Sequence, residues 1–288
     1  MLDANTYSNN SVINYIYNNF IPFKINAESK QGSTLFEQYQ GTGYPLIIFI
    51  DSNNNELDRL YGYYPYDDFI LKLGNISKGI NTYPDLLGKY KLGDTSAETM
   101  FNLALKTTDR GNDSLATILY ENVIIHKDVS WDMFHQSKLA LGISSLKNNQ
   151  LILKDYIQNY PDSPVLSAAI NHLLNYYNTN SIINEELNLY NKYITKFNND
   201  PWFLNQYAWR MTELDRDLEN ALQKINLSLN IVLEDKQQRA MILDTKAEIF
   251  WKLKKFEDAI ITINQCIDFD PENSYYKNQK NKFLQSIN

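Results

Sequence analysis

Gly41-Thr42-Gly43-Tyr44-Pro45-Leu46-Ile47-Ile48-Phe49-Ile50-Asp51 decides how the first part of this chain is read. A flexible Gly-Thr-Gly approach meets a proline, and five apolar residues then run without a break. An apolar run that short, bounded by turn residues, predicts a buried strand. Proline cannot donate to a sheet ladder, so the strand's first position is where it does least harm. A Tyr-Pro bond at the mouth of a strand is also a plausible place for a cis peptide. Ser52-Asn53-Asn54-Asn55 is a dense turn signal, and Glu56-Leu57-Asp58-Arg59-Leu60-Tyr61 reads as the returning strand of a hairpin.

Upstream, Val12, Ile13, Ile16 and Phe20 fall at helical spacing, with Ser11 or Asn10 as the expected cap. Ile21 to Asn26 alternates apolar and mixed residues and predicts a strand, with Pro22 near its start. Gly32 to Gln40 predicts a short helix with Leu35, Phe36 and Tyr39 on one side. Beyond the hairpin, a helix is expected from about Pro65 to Ile76, with proline preset for a first turn. The order is helix, strand, helix, strand, strand, helix.

That order, with a proline opening a central strand and a second strand ending near Gly62, resembles the second half of a thioredoxin-like domain. The resemblance covers roughly residues 1–80 and lacks the Cys-x-x-C motif that carries the family's chemistry. It implies that Tyr44-Pro45 is cis and that Gly43, Tyr44 and Pro45 bind an extended substrate peptide. It also implies a preceding strand and a cysteine helix, since Leu2-Asp3-Ala4-Asn5-Thr6-Tyr7-Ser8 looks like the phrase that follows the cysteines. The domain is therefore read as N-terminally truncated, with an upstream extension of the reading frame expected.

Residues 81–95, with Pro84, Gly88 and Gly93 among polar residues, read as a linker with some helical turns. From 96 to 288 strand signals almost vanish and helical repeats take over. Residues 240–273 are similar to a tetratricopeptide repeat. Leu243, Ala247 and Phe250 take the large, small and aromatic positions of the first helix. Ala259 and Ile263 supply the second helix, and Pro271 closes the unit. Lys246 departs from the usual leucine. A second copy over 201–239 uses Leu204, Ala208, Met211, Ala221, Ile225 and Ser228. A weaker one near Ala97 uses Met100, Ala104, Ala116, Tyr120 and Val123. Residues 131–198 are helical without a clear register, and 272–288 look like the capping helix that such arrays need. The resemblance implies a peptide groove lined by Trp202, Asn205 and Trp209 on one first helix and by Asp244, Glu248 and Trp251 on the next.

Composition is that of an ordinary globular protein, 43% hydrophobic and 21% charged. A net charge of −7 leaves no basic surplus to neutralise phosphates, which argues against nucleic acid as partner. No stretch is apolar for long enough to span a bilayer. Residues 1–20 are polar rather than a secretory leader, which predicts a cytoplasmic protein as the chain stands and an extracytoplasmic one if a segment precedes it. Cys266 is the single cysteine, so a two-cysteine redox cycle within the chain is excluded. It reads as a small buried core residue. His126, His135 and His172 are too scattered for a metal site, and Gly74–Gly79 has phosphate-loop glycine spacing with Ile80 where lysine is required. The acid pairs Asp67-Asp68 and Glu185-Glu186 read as first-turn complements to helix dipoles.

No catalytic residue, metal or cofactor is expected. The chain reads as an α/β thioredoxin-like domain followed by an all-α tetratricopeptide-like domain, a scaffold for a protein or peptide partner. The alternative is a shortened thiol-disulfide oxidoreductase whose Cys-x-x-C lies upstream.

Overall fold

The computed structural model describes residues 2–286. It divides into two compact units, one ending at Leu173 and the other beginning at Leu174.

The first unit opens on a π-helical turn at Leu2–Thr6, followed by α1 (Asn10–Asn19) and α2 (Lys30–Gln38). Asn9 caps α1 from one position earlier than expected, its side chain accepting from the Ser11 amide. Gly32, in the first turn of α2, lies against the chain before it: a Cβ there would sit 1.9 Å from the Asn26 carbonyl oxygen. The hairpin is as read. β1 (Leu46–Ile50) and β2 (Glu56–Tyr61) pair antiparallel, with Ile48 opposite Arg59 and a register shift between Phe49 and Ile50. Asp51 closes the turn by accepting from the amides of Asn53 and Asn55. The Tyr44–Pro45 bond is cis, as expected. α3 (Tyr66–Ser77) follows with Pro65 as its N-cap. Val12, Phe49, Leu60, Phe69, Leu73 and Ile76 form the core beneath the hairpin.

Two expectations fail here. Residues 21–26 are not a strand. Ile21 and Phe23 are 82% and 83% exposed, and among the described residues the sheet has only β1 and β2. Alternating apolar residues make a strand only when another strand accepts their ladder bonds, and none lies alongside. The second failure follows from the first. β1 was expected to be buried, yet only Phe49 of its five residues is. The Gly62 amide bonds to the Pro45 carbonyl, so alternation turns the Ile48 N–H and C=O away from β2, toward an edge without a strand. The hairpin and its helices are present; the parallel strand that a thioredoxin-like α/β domain requires is not among the described residues.

The stretch 81–95 is more ordered than a linker. It holds α4 (Tyr83–Lys91), whose Leu86 is buried in a second core with Met100, Leu103, Ala104, Leu119 and Val123. These residues come from α5 (Ala97–Thr108) and α6 (Asp113–Ile125), so the weak repeat copy near Ala97 does mark a packed helix pair. α7 (Trp131–Ser145) and α8 (Leu151–Asn159) form the next pair, with Gly142 giving Leu153 room to approach. Between them His135 is fully buried, its Nδ1 2.9 Å from the Tyr156 hydroxyl, which lies 2.5 Å from Ser163 Oγ.

The division between the units falls within α9 (Leu166–Thr179). The second unit continues with α10 (Ile183–Tyr193), α11 (Pro201–Leu214), α12 (Leu218–Ile231), α13 (Lys236–Lys252), α14 (Phe256–Phe269) and α15 (Ser274–Gln285). The pairs α11–α12 and α13–α14 fall where the two best repeat copies were expected. Leu204, Ala208, Met211, Ala221, Ile225 and Ser228 are all buried in the first pair. Leu243, Ala247, Ala259 and Ile263 are buried in the second, while Phe250 is half-buried. Small residues at 247 and 259 let these helices approach closely, and the branched side chains fill the space beside them. α15 is the described part of the expected cap.

Candidate functional site

α11 starts where Asp200 accepts from the amides of Trp202 and Phe203, with Pro201 in the first turn. One face of it carries Trp202, Gln206, Trp209, Arg210 and Glu213, spaced four, three, one and three residues apart and so on one side of the helix. Arg210 reaches α10 and clasps Glu186 with two bonds, Nε to Oε1 at 2.8 Å and Nη2 to Oε2 at 2.9 Å. Its third nitrogen donates to Glu213 at 3.0 Å, and Glu213 also accepts from the Trp209 indole at 3.0 Å. Burial works against the guanidinium charge of Arg210, and the bonds to Glu186 and Glu213 outweigh it, so its proton is held more tightly than usual. Burial raises the Tyr190 hydroxyl too, with Glu186 adding to the effect.

This network walls a hollow of about 170 Å³. Asn175, Asn178 and Gln206 also line it, and their carboxamides bond to no other group among the described residues. A carboxamide offers a donor and an acceptor together, the complement of a peptide main chain. The hollow therefore joins an aromatic wall, a fixed charge pair and unspent amide groups.

Of the six groove residues expected from sequence, only Trp209 lines this hollow. Trp202 stands on the same helix, 41% exposed, and Asn205 is half-buried with Oδ1 lacking a hydrogen-bond partner. The α13 trio meets α15 instead. Tyr275 donates to Asp244 Oδ2 at 3.2 Å, and Lys282 donates to both oxygens of Glu248 at 2.7 and 2.8 Å. Lys282 lies 4.0 Å from the Trp251 ring centroid, and the Trp251 indole donates to Ser286 Oγ. Asp244 is only 8% exposed, and its other oxygen has no partner. Burial pushes its carboxyl up to about 6, against the pull of the Tyr275 bond.

Sequence reasoning passed over Gln206, Arg210, Asn175 and Asn178, and read Glu186 only as a complement to a helix dipole. The spacing on α11 was a usable signal for the first two. Glu186 does stand in the first turn of α10, as the dipole reading had it, and it is also a buried ion-pair partner of Arg210.

At the hairpin, Tyr44 is exposed and its ring packs 4.6 Å from Phe36. Gly43 and Pro45 flank it at the entry to β1. Cys266 is fully buried, its thiol facing the carbonyls of Ala240 and Thr262, and burial pushes that thiol up. Among the described residues no group of His, Cys, Asp and Glu is placed to hold a metal. No described helix is long and apolar enough to cross a membrane.

No protein-family model and no curated protein matches the chain. Among solved structures, the "TPR2AB-domain:pHSP90-complex of yeast Sti1" is similar over 77% of this chain and 80% of that one, with 15% identity and a TM-score of 0.27. A score that low assigns neither fold nor function.

Proposed function

We infer that the protein is a binding scaffold whose second unit holds an extended peptide in the hollow beside α11. The observation that carries this reading is the set of unspent carboxamides, Asn175, Asn178 and Gln206, facing Trp209 and the Arg210–Glu186 pair. A peptide laid there would pair its main chain with the amides and stack an apolar side chain on the indole, the kind of anchor that dominates interfaces. Trp202 and Asn205 extend the same face. Asp244, Glu248 and Trp251, which sequence placed in one groove with them, serve here to dock α15.

For residues 1–80 the thioredoxin-like reading is retained as a redox-inactive variant. Its support is the open edge at Ile48 next to Gly43-Tyr44-Pro45, where an extended peptide would continue the sheet by main-chain bonds alone.

The test is peptide selection against the full chain, followed by titration of the selected peptide. Trp209→Ala should weaken binding about tenfold, the usual cost of losing one aromatic anchor. Lys282→Met, on the cap, should leave it unchanged. A selected peptide indifferent to Trp209 and Gln206 overturns the reading.

A further inference from the structure

The first unit holds a second cleft, of about 400 Å³, that the scaffold reading does not use. Its floor is apolar, made by buried Leu60 of β2 and Ile76 of α3, and Ile80 and Leu105 stand exposed at its rim. That volume falls within the roughly 300–1,000 Å³ of small-ligand sites.

Ion pairs account for most of the charge around it. Glu56 holds Arg59 at 2.5 Å and Arg110 at 2.6 Å, and Asp58 holds Lys106 at 2.5 Å. Arg59 also donates to the Asp109 carbonyl at 2.9 Å, which ties β2 to the end of α5. Burial raises the Asp109 carboxyl, with Arg110, Lys106 and Arg59 pulling the other way. Lys72 of α3 is different. It lines the cleft, rests 4.8 Å from the Tyr64 ring centroid, and has no carboxylate partner among the described residues. Three carboxamides line the same space, Asn75, Asn81 and Asn102, and none is hydrogen-bonded within the described protein.

We propose that this cleft binds a short extended peptide carrying an acidic side chain, with Lys72 pairing the acid and the three asparagines engaging the peptide main chain. An inorganic anion fits less well. It would use only the amide donors of the asparagines and leave three carbonyl oxygens facing a negative charge. Amide groups in the ligand satisfy both ends of each carboxamide. The aliphatic rim suits apolar residues on either side of the acid.

Two capped peptides test this on the full chain, acetyl-Leu-Glu-Leu-amide and its glutamine counterpart, titrated at millimolar concentrations with amide resonances as the readout. The acidic peptide should shift resonances of Lys72, Asn75, Asn81 and Asn102. The glutamine peptide should bind about tenfold more weakly, the value of one charge-assisted bond in a partly wetted site. Lys72→Met should remove that difference, and Asn102→Asp should abolish binding of the acidic peptide by like-charge repulsion. Thermal unfolding of both variants checks that they fold. Equal response to the two peptides, shifts elsewhere than the cleft, or no shift at all overturns the proposal.

Discussion

Asp244 is a carboxylate whose surroundings work against its charge. It is buried, one oxygen is unpartnered, and its neighbours are Tyr275, Glu248 with Lys282, and the Cys266 thiol, itself pushed up by burial first and by this carboxyl second. Its carboxyl is held at about 6, above the ordinary 3.8. A folded-state value above the unfolded one means that the folded protein binds the proton more tightly. This group therefore favours the fold below about pH 4 and loses that contribution as pH rises through 6. Asp244→Asn keeps an acceptor for Tyr275 and removes the charge. The variant should be more stable than the parent at pH 7 by about 1–3 kcal/mol, with the gap closing toward pH 4. Denaturant melts at both pH values measure it, and an Asn variant less stable at pH 7 would show that the charge is needed where it is.

At the scale of elements, the small residues between α13 and α14 set the packing. Ala247 and Ala259 are fully buried where the two helices approach. Leucine at either position inserts three extra carbons into a filled space, at a cost of about 1–3 kcal/mol. Thermal unfolding of Ala247→Leu and Ala259→Leu reads that cost, and unchanged stability in both would contradict the repeat register. α15 is held to α13 mainly by polar contacts, Tyr275 to Asp244, Lys282 to Glu248 and Trp251 to Ser286, with Phe283 buried behind them. An exposed ion pair would add little, but Glu248 is buried and bound by both oxygens, so the cap is fixed by chemistry as well as by apolar cover.

At the scale of the whole molecule, the count of thiols bears on redox chemistry. Disulfide exchange needs a thiolate and a second thiol to resolve the mixed disulfide. The single thiol is buried and pushed up by that burial. The purified chain should therefore not catalyse insulin reduction by dithiothreitol, and Cys266→Ser should behave identically. Turnover that survives the substitution would mean that redox chemistry resides in groups other than thiols.

The sequence by itself determined the local elements: the hairpin around Asn53–Asn55, α1 and α3, and the helices at the two best repeat copies. These rest on periodicity, turn residues and caps, which act over a few positions. Tertiary structure decided the rest. The alternation of Ile21, Phe23 and Ile25 is strand-like, but a strand exists only with a partner, and no neighbouring residue can reveal its absence. Leu86 packs the helical turns expected at 81–95 into a core because α5 and α6 supply a face for it. Asn205 and Trp209 hold the same positions in one repeat copy as Asp244 and Glu248 in the other, yet one trio is covered and the other is not. That difference comes from side chains about thirty residues further along, Tyr275 and Lys282, reaching back to Asp244 and Glu248. Which polar groups are left unspent, at Asn175, Asn178 and Gln206 or at Asn75, Asn81 and Asn102, depends on every other pairing being made first.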